Sequence, residues 1–208
     1  MNSSQEFTVS ENTISNASFS DNIININSRG NAKQKFNFSG NTIRDISGSG
    51  NFSGVSVNAS NNTNQEFAFS DNSIRNIFRT NLLGDLILVN GISINASGNT
   101  NQDFTVSNNN ISNSSGIFIG NLDNGDIAAE VRLNTITDSD SFGFIARMNS
   151  TETFCLDLSN NTSETGFLLI KFLGTFELVN LTDIPANNTG SIFVSPDIGS
   201  FETVPACP

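Results

Sequence analysis

Phe67-Ala68-Phe69-Ser70-Asp71-Asn72-Ser73-Ile74 alternates apolar and polar residues, then ends on an asparagine and an isoleucine. The same phrase stands at residues 7–14, 36–43 and 104–111. In each copy the first and third positions are apolar, the fourth is serine, the sixth asparagine and the eighth isoleucine. Looser copies are Val131-Arg132-Leu133-Asn134-Thr135-Ile136, which reads as one residue short, and the stretch from Leu156 through Leu158 and Asn161 to Ser163. Alternation with period two marks a strand that buries one face. Its recurrence about every 25–37 residues marks a solenoid, with one supersecondary unit per repeat.

A second phrase follows the first in nearly every unit, usually opened by glycine: Gly54-Val55-Ser56-Val57, Gly91-Ile92-Ser93-Ile94, Gly116-Ile117-Phe118-Ile119, Gly143-Phe144-Ile145 and Gly166-Phe167-Leu168-Leu169. Ile24-Asn25-Ile26 is the first unit's version, without the glycine. Asn/Ser/Gly clusters separate these β-branched and aromatic runs, as turns separate strands. No useful length of chain keeps apolar residues at helical spacing, so almost no helix is expected. A leucine-rich repeat would place an apolar residue three positions ahead of each first phrase. Ser4, Lys33, Asn64 and Asn101 occupy those positions. The six-residue apolar beat of a left-handed hexapeptide helix is missing as well.

What remains is an all-β, right-handed parallel β-helix of about seven coils. Repeats fill residues 1–174, and an irregular, proline-containing cap fills residues 175–208. Equivalent side chains of successive coils should stack about 4.8 Å apart. Phe7, Phe36, Phe67 and Phe104 would form one internal ladder, Val9, Phe38, Phe69 and Val106 the next, and Ile14, Ile43, Ile74, Ile111 and Ile136 a third. Asn12, Asn41, Asn72, Asn109, Asn134 and Asn161 fall where the chain bends between strands. Asparagine tolerates the left-handed backbone of such a bend, and its amide both donates and accepts. A structural corner ladder is therefore expected there.

Phe19-Ser20-Asp21-Asn22, Phe38-Ser39-Gly40-Asn41 and Phe69-Ser70-Asp71-Asn72 match the F-x-x-N half of a known repeat. Together with the glycine-led second phrase, they make the chain resemble bacterial surface and secreted right-handed β-helix proteins, the group of autotransporter passengers and polymorphic outer-membrane proteins. The G-G-A-[ILV] half of the latter pattern has no counterpart here. The resemblance covers about residues 5–170 and implies a β-helix carried outside the cell.

Twenty acidic and nine basic side chains leave a net charge of −11, which repels nucleic acid and anionic membrane. No apolar stretch reaches the length of a transmembrane helix. Residues 1–5 carry neither the basic region nor the apolar core of a secretion signal. Cys155 and Cys207 are the two cysteines. Without histidine or a C-x-x-C spacing they do not suggest zinc. A disulfide between them is expected over two buried free thiols, and it implies an oxidising compartment.

Chemistry is sparse. A polygalacturonase-like or pectate-lyase-like site would need clustered carboxylates beside histidine, arginine or lysine. This chain has no histidine, and Arg44 and Arg75, which read as turn residues, are flanked by serine in the neighbouring units. Asp123 and Asp126, with Glu130 nearby, form the best cation-binding turn, although a plain turn explains them better. Asn-x-Ser/Thr occurs fourteen times, but the repeat itself generates most copies, so glycosylation is not argued from the count. The third unit carries an apolar excess at residues 81–90, including Leu82, Leu83, Leu86 and Leu88, expected as an extra strand or a partner-binding loop. These features predict a non-enzymatic, cofactor-free module, extracellular or on the cell surface. It would bind a surface protein or glycan, with a polysaccharide-cleaving enzyme or a self-assembling subunit as alternatives.

Overall fold

A computed structural model describes residues 4–19, 21–28, 33–49, 53–59, 64–80, 86–97, 101–121, 125–197 and 200–208. Each repeat makes one turn of a three-sided coil. The first turn is β1 (Ser4–Ser10), β2 (Thr13–Phe19) and β3 (Ile24–Ser28), and the second is β4 (Lys33–Ser39), β5 (Thr42–Ser49) and β6 (Val55–Ala59). The third is β7 (Gln65–Ser70), β8 (Ser73–Thr80), β9 (Leu86–Leu88) and β10 (Ile92–Ala96). The fourth is β11 (Gln102–Ser107), β12 (Asn110–Ser112) and β13 (Ile117–Asn121), and the fifth β14 (Ile127–Arg132), β15 (Thr135–Thr137) and β16 (Phe144–Met148). The sixth is β17 (Thr153–Ser159), β18 (Thr162–Ser163) and β19 (Phe167–Lys171). A partial seventh holds β20 (Thr175–Val179), a 3-10 turn at Leu181–Asp183, the one-turn helix α1 (Ile184–Asn187) and β21 (Ile192–Ser195), and β22 (Glu202–Val204) follows.

Corresponding strands stack into three sheets. The first runs β1-β4-β7-β11-β14-β17-β20-β22, the second β2-β5-β8-β12-β15-β18 with β9 attached to β8, and the third β3-β6-β10-β13-β16-β19-β21. Every pairing between turns is parallel and in phase with the repeat, as in Phe36 opposite Phe67, Ile74 opposite Ile111 and Ile94 opposite Ile119. The chain is thus a parallel β-solenoid with six complete turns and a partial seventh, in line with the expected count of about seven. In the seventh turn Pro185 stands within the first residues of α1, which lies between β20 and the Asn188 corner, and the second sheet is continued there by a single parallel bridge from Thr162 to Thr189. A proline suits that helical position and cannot donate to a strand ladder.

The three inner faces meet in one core. Phe67, Phe69, Phe104, Ile74, Ile111, Ile92, Ile117 and Phe144 are all buried. Phe67 and Phe104 stack at 5.2 Å with planes 13° apart, whereas Phe36 and Phe67 tilt by 44° at 6.4 Å. Phe7 holds its place opposite Phe36 but is half exposed, because among the described residues no turn lies above the first. At the other end Phe201 packs on Phe176 at 5.0 Å, and Ile184 is buried, so the last turns are closed.

Two expectations at the corners are corrected. The left-handed residue is the one before each ladder asparagine: Glu11, Gly40, Asp71, Asn108, Leu133 and Asn160, with φ between 54° and 64°. The asparagine itself sits just past the bend and works through its amide. The fifth unit is also not one residue short. Ala129 and Val131 pair with Phe104 and Val106, which puts Arg132 at the serine position and Leu133 on the exposed corner. A second left-handed row puts a bend inside β2, β5 and β8 at Asn16, Asp45 and Asn76, and just after β12 and β15 at Asn113 and Asp138. Arg44 and Arg75, read as turn residues, lie in β5 and β8 opposite each other.

Candidate functional site

The corner asparagines form a continuous hydrogen-bonded ladder. Asn72 accepts from the backbone N–H and the Nδ2 of Asn41 at Oδ1, at 2.9 and 3.2 Å. It donates from Nδ2 to Phe38 O at 3.0 Å and to Asn109 Oδ1 at 2.9 Å. The arrangement repeats from Asn12 to Asn41, Asn109 to Asn134, Asn134 to Asn161 and Asn161 to Asn188. Asn188 extends the ladder by a rung that the sequence phrase hides, since no apolar-serine run precedes it. With their amides paired and their bodies buried from Asn41 onward, these asparagines are structural. A second row was also missed: Gln5, Gln34, Gln65 and Gln102 stand opposite one another two residues before each phenylalanine, and Gln65 and Gln102 are buried. The recurrent glutamine was visible in the sequence but lay outside the phrase.

Cys155 and Cys207 form the expected disulfide, across 52 residues. Cys155 points out of the first sheet between the inward Phe154 and Leu156, so the bridge ties the tail, residues 205–208, onto that outer face. Beside it lies a groove of about 510 Å³ that includes Lys33, Glu66, Asp103, Asp126, Glu177 and Pro208. Lys33 Nζ is 2.7 Å from Glu66 Oε1, and this hydrogen bond holds the Glu66 carboxyl below its ordinary range and the Lys33 amine above its own. Partial burial, reinforced by the charge of Glu66, pushes the Asp103 carboxyl up.

Asp126 accepts from the Thr153 N–H at 2.9 Å, while Glu130 pairs with Arg132. Asp126 and Glu130 are four residues apart along extended chain, about 13 Å. Asp123 lies outside the described residues. Among those residues no three His, Cys, Asp or Glu side chains converge as metal ligands.

The apolar excess of the third turn makes the short strand β9, which runs back antiparallel along β8 with Leu88 opposite Phe78 and Leu86 opposite Thr80. Val89 enters the core, and Leu88 is half-buried at a shallow hollow on the third sheet's outer side. Leu82 and Leu83 lie outside the described residues.

The outward face of the third sheet carries a feature that the phrases do not reveal. One outward column reads Asn25, Ser56, Ser93 in the first three turns and then Phe118, Ile145, Leu168, Phe193. Phe193 is 47 % exposed, and Phe172 and Leu173 just beyond β19 are 57 % and 53 % exposed. Phe142 packs edge-on against Phe193 at 5.0 Å, and the Arg147 guanidinium lies 5.0 Å from the centre of the Phe172 ring. Four rungs make this strip about 15 Å long. Phe118, Ile145 and Leu168 are half-buried, and Phe193 is the exposed member of the column. The signal was present in the sequence as apolar residues at both odd and even positions of residues 117–119, 144–146 and 167–170, but it reads equally as a strand buried on both sides.

Among the described residues no helix is long and apolar enough to cross a membrane. No family model, curated protein or solved structure matches this chain.

Proposed function

We propose that this chain is a non-enzymatic β-solenoid module, extracellular or on the cell surface, that contacts a protein partner through the apolar strip on its third sheet. The observation that carries the reading is the change of one outward column from Asn25, Ser56 and Ser93 to Phe118, Ile145, Leu168 and Phe193. The solenoid needs no apolar residue there, since each turn already fills the core from its inward face. Outward aromatic side chains contribute free energy when a second surface covers them. The disulfide fits an oxidising compartment. The resemblance of the repeats to autotransporter passengers and polymorphic outer-membrane proteins supports the same placement.

The test is saturable binding of the labelled protein to intact cells and to isolated surface proteins, wild type against Phe172→Ser/Phe193→Ser. Wild-type binding that weakens at least tenfold in the variant, with unchanged melting temperature, is expected. Equal binding by both, or saturable binding by neither, counts against the reading.

The groove on the first sheet favours a second reading, a polysaccharide lyase or hydrolase. Asp103, with its carboxyl pushed up, stands near Glu66, with its carboxyl held down, and such a divergence suits an acid and a base. Turnover of an acidic polysaccharide that disappears in Asp103→Asn would promote this reading.

A further inference from the structure

The third turn is longer than its neighbours, and β9 lies in the excess. Leu88 of β9 and Arg79 of β8 line the shallow hollow of about 440 Å³ on the outer side of the third sheet. That sheet contributes the same polar pair on two successive rungs, Ser56 with Asn58 in β6 and Ser93 with Asn95 in β10, held opposite each other by the parallel register. Both serines lie between inward residues and so point outward, yet they are only 5 % and 7 % exposed. Neighbouring side chains therefore stand around them as walls. In each rung the asparagine Nδ2 donates to the serine Oγ at 3.3 Å, which leaves the serine O–H and the asparagine Oδ1 outside that bond. No acidic side chain is among the described residues that line the hollow. The solenoid does not require this pair, since the same two outward columns hold Phe118 and Gly120 in the fourth turn and Ile145 and Arg147 in the fifth.

We propose that this hollow binds a neutral carbohydrate, with one sugar unit over each serine and asparagine pair. Sugar hydroxyls donate and accept at once, and a rung that offers an amide oxygen and a hydroxyl proton answers both. The pairs repeat at the rung spacing of about 4.8 Å, comparable to the length of one unit in an extended glycan. Leu88 gives apolar contact to the C–H groups of a ring, and Arg79 adds guanidinium donors. A few placed polar groups beside apolar surface are the usual make-up of a ligand site. Paired strands hold these side chains on a rigid scaffold, so little order is lost on binding. The net charge of −11 repels acidic glycans, which leaves neutral ones as the fitting class. The site lies on the second and third turns, whereas the apolar strip occupies the fourth to the seventh, so the two stand or fall separately.

The test is titration of the intact, oxidised protein with cellohexaose, maltohexaose and N-acetylchitohexaose, and with hexagalacturonate as the acidic counterpart, followed by calorimetry and by nuclear magnetic resonance. Saturable one-to-one binding of at least one neutral hexasaccharide is expected, with the largest shifts at the side-chain amides of Asn58 and Asn95. Hexagalacturonate is expected to bind at least tenfold more weakly. The double variant Asn58→Ala/Asn95→Ala is expected to lose at least tenfold in affinity at unchanged melting temperature, while Phe193→Ser keeps the wild-type affinity. Should the double variant melt lower, the shift map of the wild type decides. Binding of none of the three neutral probes, preference for hexagalacturonate, shifts away from β6 and β10, or full binding by a folded double variant would overturn the proposal.

Discussion

Replacing Asn72 by alanine should weaken the solenoid far more than replacing Asn12, although both belong to the same ladder. Without the Asn72 amide, the Asn41 N–H loses its acceptor at 2.9 Å, while Phe38 O loses one donor at 3.0 Å but keeps the Ser70 N–H of the parallel ladder. Both groups belong to buried residues, Asn41 at 2 % and Phe38 at 0 % exposure. The other neighbours stay paired. Asn41 Nδ2 keeps Val9 O and Ser39 O, and Asn109 Oδ1 keeps the Asn72 backbone N–H at 3.1 Å. One orphaned buried donor costs about 1–3 kcal/mol. Asn12→Ala removes contacts to Ser10 O and Asn41 Oδ1 near solvent, where water replaces them, so its cost should stay below about 1 kcal/mol. Urea unfolding should show a large midpoint shift for Asn72→Ala and a small one for Asn12→Ala, at similar slope. Equal shifts would refute the claim that burial within the ladder, rather than asparagine content, supplies the stability.

Reduction of the Cys155 and Cys207 bridge frees a loop spanning 52 residues, worth about 4 kcal/mol of chain entropy, so melting should drop in reductant; an unchanged melt would contradict this. Gly116→Ala should destabilise by about 2–6 kcal/mol, adding overpacking to strain, because its Cβ would lie 1.9 Å from Gly143 O at φ +77°. Gly120→Ala meets mainly the movable Phe118 ring and should be milder in thermal melts; equal losses would remove the argument for close approach between turns. Asp103 has a folded-state pKa raised above its unfolded value, so its contribution to stability is present at low pH and is lost as pH rises through the folded value. Asp103→Asn should therefore raise the melting temperature at pH 7 and change it little at pH 3, and the reverse pattern would show that burial does not dominate there.

The phrases made the inward face legible because burial repeats with the turn. Phe36, Phe67 and Phe104, or Ile43, Ile74 and Ile111, fill equivalent places and tolerate little else. Alignment failed where a core place takes a small residue. Ala129 occupies the phenylalanine position of the fifth turn, and the apolar pair Val131 and Leu133 imitates a phrase although Leu133 lies on the outer corner. Asn188 escaped notice because α1, rather than a strand, carries the chain to it. The apolar strip was hidden for a different reason. Phe118, Ile145 and Leu168 alternate with core residues, and a run apolar at every position does not say which side faces water. The disulfide was legible from two cysteines alone, but its consequence, a tail tied over the first sheet, needed the orientation of Cys155.

The central claim is that equivalent residues of successive repeats are hydrogen-bonded turn to turn in one parallel register. Through-hydrogen-bond scalar couplings in the isotope-labelled protein test it without mutation. The account predicts couplings from the Asn110 amide to the Asn72 carbonyl, from Thr135 to Asn109 and from Thr162 to Asn134, pairs with N···O distances of 2.8, 2.9 and 2.8 Å. Couplings that instead join neighbouring strands of one repeat as antiparallel hairpins would contradict it.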